Sequence, residues 1–152
     1  MSVRIIIDST ADMMPAVRAR CLVVPLTVHF GEEEEYIDGI TINHKQFYEK
    51  LVETDVMPST SQANPEAFAK VYEQVRAAGD SAVVLALASK LSGTCQSAMI
   101  AASDYEEIFV VDSESAAIGS GILAEYALKL ADEGMSAGEI ASRLNEIGRA
   151  HV

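Results

Sequence analysis

Four short apolar runs constrain the fold of this chain more than any other feature. They read VRIIID, CLVVPLTVHF, SAVVLALAS and EIFVVDS, and three of them are apolar without alternation. A strand covered on both faces needs apolar residues at every position, which is typical of parallel sheets. Helical patterns lie between and after the runs. We therefore predict an α/β fold: a doubly wound, mostly parallel sheet with helices on both faces.

Capping residues indicate where the helices begin. Asn43 and Gln46 have the spacing of a capping box in front of a helix whose Phe47 and Leu51 share one face. Other starts are predicted at Asn64-Pro65, after Gly93, after Gly119 and at the SAGE segment from Ser136.

Composition excludes several classes of function. The chain has 152 residues, which favours a single domain, and its net charge is −12. That charge argues against nucleic acid and against electrostatic docking on an anionic membrane. No long apolar segment indicates a signal peptide or a membrane anchor, so we expect a cytoplasmic protein. The two cysteines are too few and too far apart in sequence to predict a disulfide or a zinc site.

The acidic run GEEEEY, from Gly31 to Tyr36, is the one segment that could suggest a metal site. Successive side chains of an extended segment point to opposite faces, so consecutive carboxylates do not converge on one ion. A solvated hairpin tip that protects a sheet edge is the better interpretation. We predict no metal site.

Polar residues gather where the predicted strands end. The segments are DSTAD after the first strand, SKLSGT after the third run, DSESAAIGSG after the fourth, and the polar loop PSTSQANP before a helix start. Ligands of parallel sheets bind beyond the carboxyl ends of the strands. Hydroxyls, free helix N–H groups and the close approach that Gly93 permits together suit an anionic head group. Helix capping alone is the alternative for each turn.

A serine hydrolase acting on an acyl ester, with Ser92 as nucleophile, is the alternative function. Ser92 precedes a glycine in a strand-to-helix turn, but KLSGT lacks the first glycine of a GxSxG elbow. The three histidines, His29, His44 and His151, belong to no recognisable base motif. The phosphate-binding lysine of a P-loop is also missing from this turn.

Five segments occur in an order that resembles the amino-terminal half of DegV family proteins: IIIDSTADM, IDGITINHKQFYEKL, MPSTSQANPEAF, ASKLSGTCQSA and VVDSESAAIGSG. The resemblance implies a bacterial protein without catalytic activity or cofactor. It would hold a long-chain fatty acid non-covalently, with the acyl chain in a tunnel, and present it to a separate fatty-acid kinase that makes acyl phosphate.

The resemblance also implies which residues form the site. It assigns the fatty-acid carboxylate to Thr60 and Ser92. Five further residues lie beside these two or at the rim of the implied site: Ser61, Gly93, Asp8, Ser9 and Asp112.

The same resemblance predicts the domain organisation. Residues 1–152 correspond to the amino-terminal α/β domain, and the second, carboxyl-terminal domain that completes the lipid site is absent from this chain. Each acyl methylene left in water forfeits its transfer free energy, and an open tunnel wall exposes an apolar patch. We expect self-association of this chain, or weaker fatty-acid binding than that of a full-length protein.

Overall fold

The computed structural model describes residues 2–150, with side chains for residues 2–147. This part of the chain forms seven strands and six helices. The strands are β1 (Val3–Asp8), β2 (Leu22–Val24), β3 (Thr27–Phe30), β4 (Glu34–Ile37), β5 (Pro58–Ser61), β6 (Ser81–Ala86) and β7 (Ile108–Asp112). The helices are α1 (Pro15–Arg18), α2 (His44–Glu53), α3 (Pro65–Ala77), α4 (Thr94–Ala102), α5 (Ile118–Asp132) and α6 (Ala137–Ala150).

The larger sheet has four strands in the order β2-β1-β6-β7, and every neighbouring pair is parallel. Ile5, Ile6 and Ile7 of β1 are all fully buried, because helices cover both faces. Ile5 and Ile7 pack with residues of α5 and α6, whereas Ile6 packs with residues of α3 and α4. The predicted doubly wound α/β fold is confirmed.

A second sheet, antiparallel and in the order β4-β3-β5, was not part of the prediction. The run CLVVPLTVHF is not one strand, since it divides into β2 of the large sheet and β3 of the small one. Pro25, at the break, has no N–H to donate to a ladder. The N–H of Leu26 instead donates to Ser9 Oγ at 3.0 Å, which directs the chain away from the large sheet.

The prediction of a polar loop at PSTSQANP is wrong for its first four residues, because they form β5. Thr60 pairs with Val28 of β3, and Ser61 pairs with Thr27. Most of the side chains of β5 are exposed, so the strand has no apolar pattern to predict it. The hairpin at GEEEEY is confirmed: β3 and β4 are antiparallel, and β4 is an edge strand.

The predicted helix starts agree with the structure to within two residues. Gln46 N–H donates to Asn43 Oδ1 at 2.8 Å and Asn43 N–H to Gln46 Oε1 at 2.9 Å, which completes the capping box of α2. Asn64 Oδ1 likewise accepts a hydrogen bond from the first turn of α3. Helix α5 begins at Ile118, two residues before the start predicted after Gly119. No helix in the described part of the chain is long and apolar enough to span a membrane.

Candidate functional site

A cavity of about 330 Å³ lies where the carboxyl ends of β1 and β6 meet the small sheet and the start of α4. We call it the rim cavity. Its polar lining consists of Thr10, Asp38, Thr60, Gln62 and Ser92. The rest of the lining is Leu26, Val28, Leu87, Leu91 and Gly93. Hydroxyl groups and aliphatic side chains therefore share one concave surface, as in many small-molecule sites.

Thr60 and Ser92, which the resemblance links to one head group, both line this cavity. Ser61 does not, because successive residues of a strand point to opposite faces. Its Oγ lies 2.7 Å from Nε2 of His29, a neighbour on the other face of the small sheet. Thr60 and Ser92 are thus brought together, and the Ser61 side chain is directed elsewhere.

Asp8 is buried beneath the cavity, with 1% of its surface exposed. Its carboxylate accepts hydrogen bonds from Leu87 N–H at 2.6 Å and Thr10 N–H at 2.9 Å, and from the Thr10 hydroxyl. Leu87 and Thr10 both line the rim cavity. Asp8 therefore ties the ends of β1 and β6 together under the site, and it is not among the lining residues.

Ser9 and Asp112, also assigned to the rim by the resemblance, hold backbone segments in place. Ser9 Oγ accepts the hydrogen bond from Leu26 N–H that fixes the entry to the small sheet. Asp112 accepts from Ser89 N–H at 3.2 Å and from Glu114 N–H at 2.9 Å. Neither residue lines the rim cavity.

The turn before α4 presents Ser92 to the cavity. Thr94 N–H donates to Ser92 Oγ at 3.2 Å, and the two hydroxyl oxygens are 2.9 Å apart. Gly93 occupies the N-cap position and offers no side chain to cap the helix. A helix start carries free N–H groups and partial positive charge, both of which favour a negatively charged group.

The side chain of Gln62 lies directly against Gly93. A Cβ atom at position 93 would lie 2.0 Å from Gln62 Oε1, so the amide of Gln62 covers the glycine Cα. Gln62 Nε2 also donates to Ser97 Oγ at 3.4 Å. The TSQ and LSGT segments are therefore in direct contact, which sequence spacing alone does not reveal.

Sequence reasoning missed Thr10, Asp38 and Gln62 as lining residues. All three lie inside segments that carried the resemblance, namely DSTAD, IDGITI and TSQ. Thr10 and Asp38 also line a neighbouring cavity of about 660 Å³, together with Arg18, His44 and other residues. The resemblance of each whole segment to the family was the signal that could have found these three residues. No pattern at a single position marks their side chains.

In the described part of the chain, which does not include His151, the geometry gives no support to Ser92 as a nucleophile. The hydroxyl partner of Ser92 is Thr94, whereas His29 pairs with Ser61 on the other face of the small sheet. Burial raises the pKa of the nearby Cys95 to about 11, with a contribution from the charge of Asp112, so this thiol stays protonated at neutral pH. Among the described residues, no group of three His, Cys, Asp or Glu side chains could hold a metal ion.

Comparison with known proteins identifies the family. Residues 2–151 match the model described as "Uncharacterised protein, DegV family". The chain belongs to the DegV family. A DegV domain-containing protein from Caldanaerobacter subterraneus is 40% identical over 126 residues, which are 82% of this chain and 44% of that protein.

Solved DegV structures have the same fold as this chain. A fatty-acid-binding DegV family protein from Thermus thermophilus matches with a TM-score of 0.87 and 34% identity, over 98% of this chain and 54% of that protein. DegV of Bacillus subtilis, also described as a fatty-acid-binding protein, matches with a TM-score of 0.88 and 31% identity, again over 98% and 54%. The chain thus spans about half the length of the relatives it matches.

Proposed function

We propose that this DegV domain binds a long-chain fatty acid non-covalently, with the carboxylate at Thr60 and Ser92 in the rim cavity. The observation that carries the proposal is that Thr60, on β5 of the small sheet, and Ser92, in the turn between β6 and α4, line the same cavity. The fatty-acid binding of the related proteins from Thermus thermophilus and Bacillus subtilis supports the same ligand class.

The lining suits an amphiphile with an anionic head. The start of α4 and the hydroxyls of Thr60 and Ser92 offer donors to a carboxylate, whereas Leu26, Val28 and Leu87 offer aliphatic contacts to the first methylenes. A hydrogen bond to a charged group contributes about 1.5–3 kcal/mol net. Each buried methylene contributes about 0.8 kcal/mol, so the tail supplies most of the affinity.

We further propose that the bound acid is used by a separate fatty-acid kinase in the cytoplasm. Thr60 is exposed, and Leu91 at the cavity has 68% of its surface exposed. A carboxylate held at such an edge stays within reach of a second protein. This arrangement favours presentation of the acid over chemistry by the domain itself.

The domain organisation belongs to the same proposal. Residues 1–152 would act as the amino-terminal lipid domain of a DegV protein, and apolar side chains such as Ile118 and Ile122, 64% and 61% exposed, would be covered in a larger assembly. Sedimentation of the 152-residue chain at several concentrations measures whether it covers these side chains by self-association.

Extraction of the purified protein tests the ligand. We expect mass spectrometry of a denatured extract to release free long-chain fatty acid in proportion to protein, and titration of stripped protein with oleate to saturate. Only a nucleotide or a sugar phosphate in the extract, together with no response to oleate, would refute the proposal. Stoichiometric labelling of Ser92 by a serine-reactive phosphonate would instead favour the hydrolase.

A further inference from the structure

The geometry points to Thr94 as a positioning residue that makes Ser92 a hydrogen-bond donor, and only a donor, toward the head group. This inference rests on the proposed function, because it concerns how the same site selects its ligand. Thr94 does not line the rim cavity, and it would act through Ser92.

Ser92 Oγ has two hydrogen-bond neighbours within the protein, and both belong to Thr94. A hydroxyl has one proton to donate and two lone pairs that accept. The N–H of Thr94 donates to Ser92 Oγ at 3.2 Å. The Thr94 hydroxyl lies 2.9 Å from the same oxygen and is its second neighbour. If this hydroxyl also donates, Ser92 has only its own proton left to offer to the cavity.

Burial determines the direction of the hydrogen bond between the two hydroxyls. Thr94 is fully buried, with 0% of its surface exposed, and Ser92 is half-buried at the cavity. Within the described part of the chain, the Thr94 hydroxyl has Ser92 Oγ as its hydrogen-bond partner. If Ser92 donated, the Thr94 proton would be buried without an acceptor, which is costly. If Thr94 donates, the Ser92 proton points to ligand or solvent and every group is satisfied.

A serine oriented in this way selects head groups by their hydrogen-bond character. A carboxylate is an acceptor with two oxygens, so it receives the Ser92 proton in a charge-assisted bond. An alcohol head group carries no charge and gains a weaker bond from the same proton. An alkylammonium head group offers only protons, and Ser92 has no lone pair left to receive one. Thr94 therefore contributes to carboxylate selectivity without contacting the ligand.

Paired variants and paired ligands test the role of Thr94. Thr94→Val removes the hydroxyl and keeps the shape, whereas Thr94→Ser keeps the hydroxyl. We expect Thr94→Val to weaken oleate binding about five- to tenfold, because Ser92 Oγ loses the neighbour that holds its hydroxyl toward the cavity and its charge-assisted bond to the carboxylate is misaligned. Oleyl alcohol binding should change less than about twofold, since no charged acceptor is involved. Thr94→Ser should restore oleate binding to near the wild-type value.

A double-mutant cycle separates positioning from a general structural effect. In a Ser92→Ala background, Thr94→Val should have no further effect on oleate binding, because the group it orients is gone. An equal effect in both backgrounds, or an equal loss for oleyl alcohol, would overturn the inference. If wild-type protein binds oleate and Thr94→Val binds it equally well, the inference fails and the proposed function stands. If wild-type protein does not respond to oleate, the proposed function fails and this inference falls with it.

A measurement on the unmodified chain covers the case in which Thr94→Val does not fold. The Thr94 hydroxyl proton should be visible by NMR, exchange slowly with water, and lie close to the Ser92 side chain. Fast exchange, or contact with an acceptor other than Ser92, would overturn the inference without any variant.

Discussion

The turns that follow β1 and β6 both place a hydroxyl at the rim cavity, with opposite hydrogen-bond polarity. After β1, the Thr10 hydroxyl donates to the Asp8 carboxylate, which can only accept, so toward the cavity Thr10 Oγ1 can only accept. After β6, Ser92 Oγ receives the N–H of Thr94 and, by our inference, its hydroxyl proton. The partner of each hydroxyl decides its polarity, and our proposal accordingly assigns the carboxylate of the ligand to Ser92.

The two turns also differ in what they contribute. Asp8 is buried and its hydrogen bonds join the ends of two central strands, so the first turn contributes mainly to stability. Ser92 is half-buried and faces the cavity, so by our proposal the second turn contributes mainly to binding. We therefore expect substitutions in the turn after β1 to change the free energy of unfolding. Substitutions in the turn after β6 should change the affinity for the fatty acid.

The largest expected effect is that of Asp8→Ala on stability. The substitution leaves the N–H groups of Leu87 and Thr10 without their acceptor, and each buried unsatisfied group costs about 1–3 kcal/mol. We expect the free energy of unfolding, measured in urea, to fall by about 3–5 kcal/mol, a large share of the roughly 5–15 kcal/mol that holds a domain together.

Asp112→Ala is the matched control for Asp8→Ala. Asp112 ends β7 and also accepts two backbone N–H groups, from Ser89 and Glu114, but it is only half-buried. Water replaces a lost partner there, so its loss should cost about 1 kcal/mol. Equal losses for the two variants would contradict the role that we assign to the buried carboxylate.

The next effect is a contrast in affinity between Ser92→Ala and Thr10→Val. Ser92→Ala removes a donor to the carboxylate and should weaken oleate binding about 10- to 100-fold, equivalent to roughly 1.5–3 kcal/mol. Thr10→Val removes an oxygen that can only accept, so oleate affinity should change less than about threefold while stability falls by about 1 kcal/mol. Calorimetric titration of both variants measures the contrast, and a larger affinity loss for Thr10→Val would reverse the assigned polarities.

The sequence predicts those strands and helices that are marked by continuous apolar runs or by capping residues. Strands β1, β6 and β7 pack against helices on both faces, and their continuous apolar composition predicts this. The small sheet escaped prediction because β5 is exposed and rich in hydroxyls, and because the chain changes sheets at Pro25. Which sheet each segment joins depends on side-chain bonds between distant residues, such as Ser9 to Leu26.

The site is predictable to the level of the segment but not of the individual side chain. The resemblance placed Thr60 and Ser92, and the structure brings both to one cavity. It did not distinguish Asp8, buried beneath that cavity, from residues that line it. Hydrogen-bond direction depends on the acceptor carboxylate of Asp8 at Thr10 and on the burial of Thr94 at Ser92, and no residue pattern encodes either contact.

The smallest expected effect concerns the contact between Gln62 and Gly93, which shapes the second turn. The φ of Gly93 is −76°, which alanine adopts without strain, so the cost of Gly93→Ala comes from Gln62 alone. The clashing atoms belong to the end of a flexible side chain, and Gln62 can swing away at the loss of its hydrogen bond to Ser97. We expect a fall of about 1 kcal/mol or less in the free energy of unfolding.

The double variant Gly93→Ala with Gln62→Ala shows whether the contact between the two residues causes the loss of stability. Removing the Gln62 side chain gives the new methyl group space, so Gly93→Ala should cost nothing further in that background, and the single costs should not add. Urea denaturation of the four proteins measures the coupling. Additive costs would mean that the methyl group strains the backbone of the turn itself. The second turn would then be as rigidly determined as the one that Asp8 holds, and the difference between the two turns would lie in polarity alone.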